Sequence, residues 1–67
     1  MRTPIEGELL TAANGAVYTV TSVILDDNIY IVQFIAGSDV HDMKALEFNK
    51  TDIEFEDLCE REGIVLL

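Results

Sequence analysis

The sequence predicts a small α+β domain in which a mostly antiparallel sheet of four or five short strands carries one C-terminal helix. Three features support this prediction: alternating apolar residues bounded by turn residues, two sites suited to chain reversal, and one segment with capping residues at both ends. The strands are expected to form either a simple sheet or a partly open, SH3-like barrel. No repeat or linker interrupts the chain, so we expect a single domain over residues 1–67.

The first two strands form a predicted hairpin. Residues 8–11 are a short strand, and Asn14-Gly15 is the reversal because both residues tolerate a positive φ. Residues 16–25 are rich in Val, Ile, Thr and Tyr, which suit a pleated surface. The apolar alternation changes parity at Thr21-Ser22, and this change predicts a bulge or bend there.

The third strand is predicted over Ile29–Ala36, after a turn at Asp26-Asp27-Asn28 in which Asn adopts the left-handed conformation. Both sides of this strand are apolar, whereas an antiparallel sheet usually keeps one face wet. We therefore expect it to be covered twice, by barrel closure, by a helix or by another subunit.

A weaker fourth strand is predicted over residues 43–48, after a loop at Gly37-Ser38-Asp39. The run Met-Lys-Ala-Leu-Glu inside it would suit a helix equally well. The sequence therefore leaves residues 40–48 open between strand and helix.

A helix is predicted over Asp52–Glu62, because both of its ends carry recognisable caps. Thr51 and Glu54 have the spacing of a capping box, and Gly63 is placed as a left-handed residue just after the last turn.

The same helix has one predicted buried stripe, made by Phe55, Leu58 and Cys59, which fall within about 100° of arc. Cys59 is expected to contact Ile64 across the cap. Residues 64–67 are read as a last short strand, which gives the order ββββαβ.

The residues that could take part in catalysis or metal binding do not form a recognisable site in the sequence. His41 lies between Asp39 and Asp42, but no second histidine completes a metal site, and a solvated turn is the commoner explanation. Acidic neighbours disfavour a Cys59 thiolate, so we expect a packed core thiol. Asp26-Asp27-Asn28 lacks the oxygen spacing of a calcium loop. We therefore expect no enzyme, no catalytic residue, no metal and no cofactor.

The compartment is inferred from the single cysteine and from what the sequence lacks. Cys59 cannot close an internal disulfide, so we expect a reducing, cytoplasmic environment. No apolar run reaches the length of a signal peptide or of a membrane span, so we expect a protein that is complete as written and does not enter a membrane.

The net charge is the most unusual property of the composition. Thirteen acidic residues against four basic ones give −9 at pH 7. Such a chain is repelled by phosphate backbones and anionic lipid, so we expect no direct binding to nucleic acid. A basic protein surface, including one that normally holds nucleic acid, would attract it.

Nearly half of these acids lie in the predicted helix. The candidate partner-binding residues are Asp52, Glu54, Glu56, Asp57, Glu60 and Glu62. Helix stability does not favour this arrangement, because Glu60 and Glu62 lie at the negative end of the dipole. The commonest explanation of a charge run is a solvated face. The more specific one is a negative surface that resembles a phosphate array, with Tyr18, Tyr30 or Phe34 as an apolar anchor if exposed.

Two functions follow. The first is a small acidic inhibitor that masks the basic surface of a larger partner, such as a nuclease; in size and charge alone it resembles phage-encoded anti-restriction and anti-CRISPR proteins, and no motif assigns it to a family. The second is an assembly module, an SH3-like adaptor or a homodimer, that works through the apolar sheet faces.

Overall fold

The computed structural model describes residues 2–67 as one sheet and one helix. The elements are β1 (Leu9–Thr11), β2 (Val17–Asp26), β3 (Ile29–Ala36), β4 (Glu47–Thr51) and α1 (Asp52–Glu62). The strands lie in chain order and each pair is antiparallel. Because β1 and β4 are the two edges of the sheet, the predicted α+β fold is confirmed as an open sheet with one helix, and residues 2–67 do not close into an SH3-like barrel.

The predicted bulge in β2 is confirmed. Val20 pairs with Phe34 and Ser22 with Gln33, so Thr21 has no partner in the register. This extra residue returns Val23 to the side of the sheet that Val20 occupies. The hydroxyl of Thr21 donates to the Gln33 carbonyl at 3.0 Å. We call the side covered by α1 the helix face and the opposite side the back face.

The core lies between the helix face and α1, and Phe34 is at its centre. The ring of Phe34 stacks on Phe48 at 5.0 Å and meets the edges of Tyr18 and Phe55 at 5.6 and 5.9 Å. Phe55, Leu58 and Cys59 are buried, as the helical stripe predicted. One aromatic cluster therefore joins three strands to the helix.

Both predicted caps of α1 are present. Thr51 accepts from the Glu54 N–H, and Glu54 accepts in return from the Thr51 N–H at 3.0 Å. At the other end Gly63 has φ of 70°, and the N–H of Ile64 donates to the Cys59 carbonyl at 2.9 Å. The local sequence therefore fixes the bounds of this helix.

The two reversals in the sheet differ in detail from the prediction. At the first, Gly15 takes the positive φ and Asn14 instead accepts from the Ala16 N–H at 2.9 Å. At the second, the residue with positive φ, at 54°, is Asp27 and not the expected Asn28. Aspartate also tolerates the left-handed region, because its short carboxylate bonds locally.

The predicted strand over residues 43–48 is wrong in its first half, since β4 begins only at Glu47. The preceding segment is neither strand nor helix. Asp39 and Asp42 each accept, at 2.9 Å, from the N–H two residues later, which belongs to His41 and Lys44 respectively. These side chains satisfy the backbone locally and keep the segment in turns.

The predicted last strand at residues 64–67 is also wrong. Ile64 turns into the core and is 3% exposed, whereas Val65 is 72% exposed. The segment leaves α1 through a left-handed glycine and pairs with no strand among residues 2–67. Its apolar residues therefore fill the end of the core without joining the ladder.

The double covering expected for β3 is only partly present. On the helix face, Val32 and Phe34 are fully buried. On the back face Ile35 is buried, beside the place where the Thr19 hydroxyl donates to the Gly37 carbonyl. Ile29, nearer the hairpin turn, remains 42% exposed. The returning chain after β3 thus covers one end of the back face and leaves the other open.

Candidate partner-binding surface

The six acidic residues predicted as a partner-binding site divide into two groups. Asp52 and Glu54 make local hydrogen bonds at the start of α1, and Glu62 makes one to β2. Glu56, Asp57 and Glu60 project from the exposed side of the helix. We call these last three the acidic surface.

The first group has structural roles. Asp52 accepts from the Ile53 N–H at 2.8 Å, and Glu54 completes the capping box. The Thr51 N–H and hydroxyl both lower the pKa of Glu54 by hydrogen bonding to its carboxylate. Glu62 accepts from the Tyr18 hydroxyl at 2.6 Å. These residues are therefore partly committed to the fold.

The acidic surface has little compensating charge of its own. Arg61 donates from Nε to Asp57 at 2.8 Å, in a pair whose side chains are both more than 60% exposed. Within residues 2–67 the other ion pair joins Arg2 to Glu8, far along the chain. Glu56 and Glu60 therefore have no cationic partner in the described part of the protein, and their charge faces solvent.

One apolar side chain lies within this surface. Ile53 is 77% exposed. At 100° per residue it projects in nearly the same direction as Asp57 and Glu60, four and seven positions later. The sequence prediction did not include Ile53, although its position opposite the buried stripe was the available signal.

The aromatic residues that the sequence suggested as anchors are less accessible to a partner than Ile53. Phe34 is 1% exposed and cannot contact a partner. Tyr18 is half-buried and already bonded to Glu62. Tyr30 is half-buried beneath the helix, where burial raises its pKa and the charges of Glu56 and Asp52 raise it further. Ile53 is therefore the exposed apolar residue at this surface.

Cys59 and His41, the side chains considered for catalysis, lie in different surroundings. Cys59 is buried, as predicted, and burial with the charges of Glu56 and Glu62 raises its pKa to about 11. A thiol with that pKa is almost fully protonated near neutral pH and is a weak nucleophile. His41 is exposed in the turn segment. In residues 2–67 no three His, Cys, Asp or Glu side chains gather closely enough to hold a metal ion.

Two grooves lie elsewhere on the sheet. One, of about 430 Å³, runs along the back face between Ile35, Gln33, Asn49, Glu47 and Val40. The other, of about 370 Å³, separates the segment at Pro4 and Ile5 from Val23 and Leu25. Neither of these two grooves is lined by residues of α1.

Comparison with known proteins assigns no family, since no family model, no curated protein and no solved structure matches this chain. Across residues 2–67, no helix combines the length and the apolar composition needed to cross a bilayer.

Proposed function

We propose that this protein is a small, non-enzymatic binding protein that masks a basic surface of a larger partner, one that normally handles nucleic acid. Inhibitors of the anti-restriction and anti-CRISPR kind act in this general way. The observation that carries the proposal is the exposed, uncompensated charge of Glu56 and Glu60 beside Ile53. A nuclease or another nucleic-acid-binding protein would supply the complementary surface.

The electrostatics favour recognition over simple solvation. Glu56 and Glu60 are like-charged neighbours one turn apart, an arrangement that weakens an isolated helix by about 0.2–0.5 kcal/mol. Glu60 also lies in the last turn, where the helix dipole disfavours a negative charge. At a partner's basic groove the same charges would speed association and fix orientation, and Ile53 would provide a desolvated contact at the centre.

The experiment compares two variants with the same net charge. In the first, Glu56→Gln, Asp57→Asn and Glu60→Gln neutralise the acidic surface. In the second, Asp39→Asn, Asp42→Asn and Glu47→Gln neutralise three acids outside α1, and the asparagines keep the Oδ1 atoms that the turns require. Each variant, with the wild type, is immobilised and exposed to cell extract at about 0.05 and 0.5 M salt, a range over which the screening length shrinks several-fold.

We expect the wild type and the control variant to retain a basic protein at low salt and the first variant to lose it. The retained protein is then purified and tested for competition between this chain and nucleic acid. The proposal would be contradicted if both variants retained the partner equally, or if the amount retained were the same at the two salt concentrations. A purified partner that binds nucleic acid and this chain simultaneously would also contradict it.

A second candidate is the assembly module, which the exposed part of the back face favours. Ile24 and Ile29 are 44% and 42% exposed there, on neighbouring strands. This function predicts a mass above the monomer value by light scattering. It also predicts that neutralising the acidic surface leaves that mass unchanged, whereas a monomer at all concentrations contradicts a homodimer.

A further inference from the structure

The outer edge of β2 is longer than the strand that pairs with it. Backbone bonds to the β1 side end at Val20, whose N–H donates to Glu8 and whose carbonyl accepts from Gly7 at 2.9 and 2.8 Å. β2 continues to Asp26. Among residues 2–67, its second half therefore pairs with a strand on one side only, and that strand is β3.

The strand register shows which backbone N–H and C=O groups of β2 make no hydrogen bond to β3. Asp26 and Ile29 close a two-residue turn and form the first hydrogen-bonded pair, and the alternation makes Ile24–Ile31 the next. The N–H and C=O groups of Val23 and Leu25 consequently point away from β3. No backbone bond from the loops and turns of residues 2–67 reaches them.

This edge begins with the β-bulge at Thr21, but it lacks two other features that protect an edge strand, which are charged side chains and proline. Residues 21–25 read Thr-Ser-Val-Ile-Leu, with no charge and no proline. The other long edge, β4, carries Glu47 and Lys50. Charged side chains on edge strands prevent pairing with other chains, so the β2 edge is the one open to strand addition.

An apolar groove lies directly beside the unpaired backbone. Its volume is about 370 Å³, within the range of about 300–1,000 Å³ that small-ligand sites occupy. Val23 and Leu25 form one wall, and Pro4 and Ile5 form the other. A strand paired with the β2 edge would direct alternate side chains into this groove.

The charge around the groove identifies the occupant. Glu6 lines the groove, and Asp26 and Asp27 lie at the end of the strand. The nearby cation in sequence, Arg2, is paired with Glu8. A second copy of this chain would bring the same three acids into the interface, and like charges would oppose it. A segment with basic residues at its ends would be attracted.

We propose that the edge of β2 at Val23 and Leu25 binds an extended segment of another protein by strand addition, and that this segment has small apolar residues flanked by Lys or Arg. Main-chain hydrogen bonds provide the affinity and the groove selects the apolar side chain. This surface is separate from the acidic surface, so the two proposals succeed or fail independently.

The test uses the full chain and an acetylated, amidated peptide of sequence Lys-Val-Thr-Val-Lys, followed by amide NMR. We expect saturable shifts and slower solvent exchange at the N–H groups of Val23 and Leu25. The matching peptide Glu-Val-Thr-Val-Glu should bind about tenfold more weakly at low salt. A peptide with N-methylated valines should not bind.

Two variants test the backbone contribution. Leu25→Pro removes an outward N–H that the ladder with β3 does not use, and it should abolish the shifts. Asn49→Pro makes the same change on the outer side of β4 and should leave them intact. Should the prolines unfold the chain, the wild-type exchange data decide the question.

Three results would overturn the proposal. The first is shifts confined to α1 or β4, and the second is equal binding of the two charged peptides. The third is concentration-dependent protection of Val23 and Leu25 without peptide, which would identify a second copy as the occupant. Neutralising Glu56, Asp57 and Glu60 should change peptide binding by less than about threefold, because these residues do not line the groove.

Discussion

The hydroxyl of Tyr18 donates to Oε1 of Glu62 at 2.6 Å and thereby ties the second strand to the last turn of the helix. The two residues are 44 positions apart in the sequence. Their contact shows that one acid of the helix serves the fold, although composition alone groups it with its exposed neighbours. The same hydrogen bond raises the pKa of Tyr18, with help from burial and the charge of Glu62.

Replacing Tyr18 with Phe should lower the free energy of unfolding by about 1–2 kcal/mol, because a part-buried bond to a charged acceptor is lost. Glu62→Gln keeps an acceptor oxygen and should cost less. Urea unfolding at pH 7 measures both. The control is Glu60→Gln on the exposed side, expected within about 0.5 kcal/mol of wild type. Equal effects of Y18F and E60Q would show that the bond contributes nothing.

Gly63→Ala should destabilise the protein by more than the roughly 1 kcal/mol typical of a left-handed glycine position. A Cβ at Gly63 would lie 2.8 Å from the Cβ of Ala13, whose N–H also donates to the Glu62 carbonyl at 2.8 Å. Adding Ala13→Gly should recover part of the loss.

Gly7→Ala is the matched control, because Gly7 also has a positive φ but has open space around its Cα. Thermal unfolding of the wild type and these three variants separates the strain of the left-handed backbone from the steric contact with Ala13. If Gly63→Ala costs no more than Gly7→Ala, the close approach to Ala13 is not a constraint.

Stability should fall in alkaline solution because of Cys59. An unperturbed cysteine thiol has a pKa of 9.0, and burial raises the pKa of Cys59 in the folded protein to about 11. Between these values the unfolded chain loses a proton that the folded chain keeps. The contribution is therefore complete below pH 9 and is lost as pH rises through 11, by about 3 kcal/mol in total.

Urea unfolding from about pH 7 to about pH 10.5 under reducing conditions measures this decline. Cys59→Ala should be less stable at neutral pH but should show a shallower dependence on pH. Tyr18 and Tyr30, whose pKa values are also raised, leave a residual slope of the same sign. Parallel curves for wild type and C59A would contradict the assignment to Cys59.

Neutralising Glu56 or Glu60 should stabilise the isolated protein by a few tenths of a kcal/mol, because their mutual repulsion and the unfavourable dipole interaction are removed. Asp57→Asn should have the opposite sign, since it breaks the pair with Arg61. Unfolding at about 0.02 M salt gives the largest differences, and high salt should suppress them. A loss of stability in E56Q or E60Q would show that these charges support the fold.

The candidate site was only partly readable from the sequence. At 100° per residue, Asp57 and Glu60 lie on the side of the helix opposite Phe55, and the structure exposes them there. The same helical periodicity places Ile53 on that exposed side. The role of Glu62 was not readable, because its partner Tyr18 comes from a strand that only folding brings near.

Local chemistry determined most of the elements. The capping pair Thr51 and Glu54 fixed where the helix begins, and the parity change at Thr21-Ser22 located the bulge, because both depend on residues within one turn or one strand.

Only the tertiary structure decided how the ends of the chain are used. Residues 64–67 have the composition of a strand, yet Ile64 fills the core and no strand among residues 2–67 pairs with them. The open edge at Val23 and Leu25 likewise exists because β1 stops short of it. Strand pairing is a property of two segments at once, so a pattern within one segment specifies a strand's faces but not its neighbours.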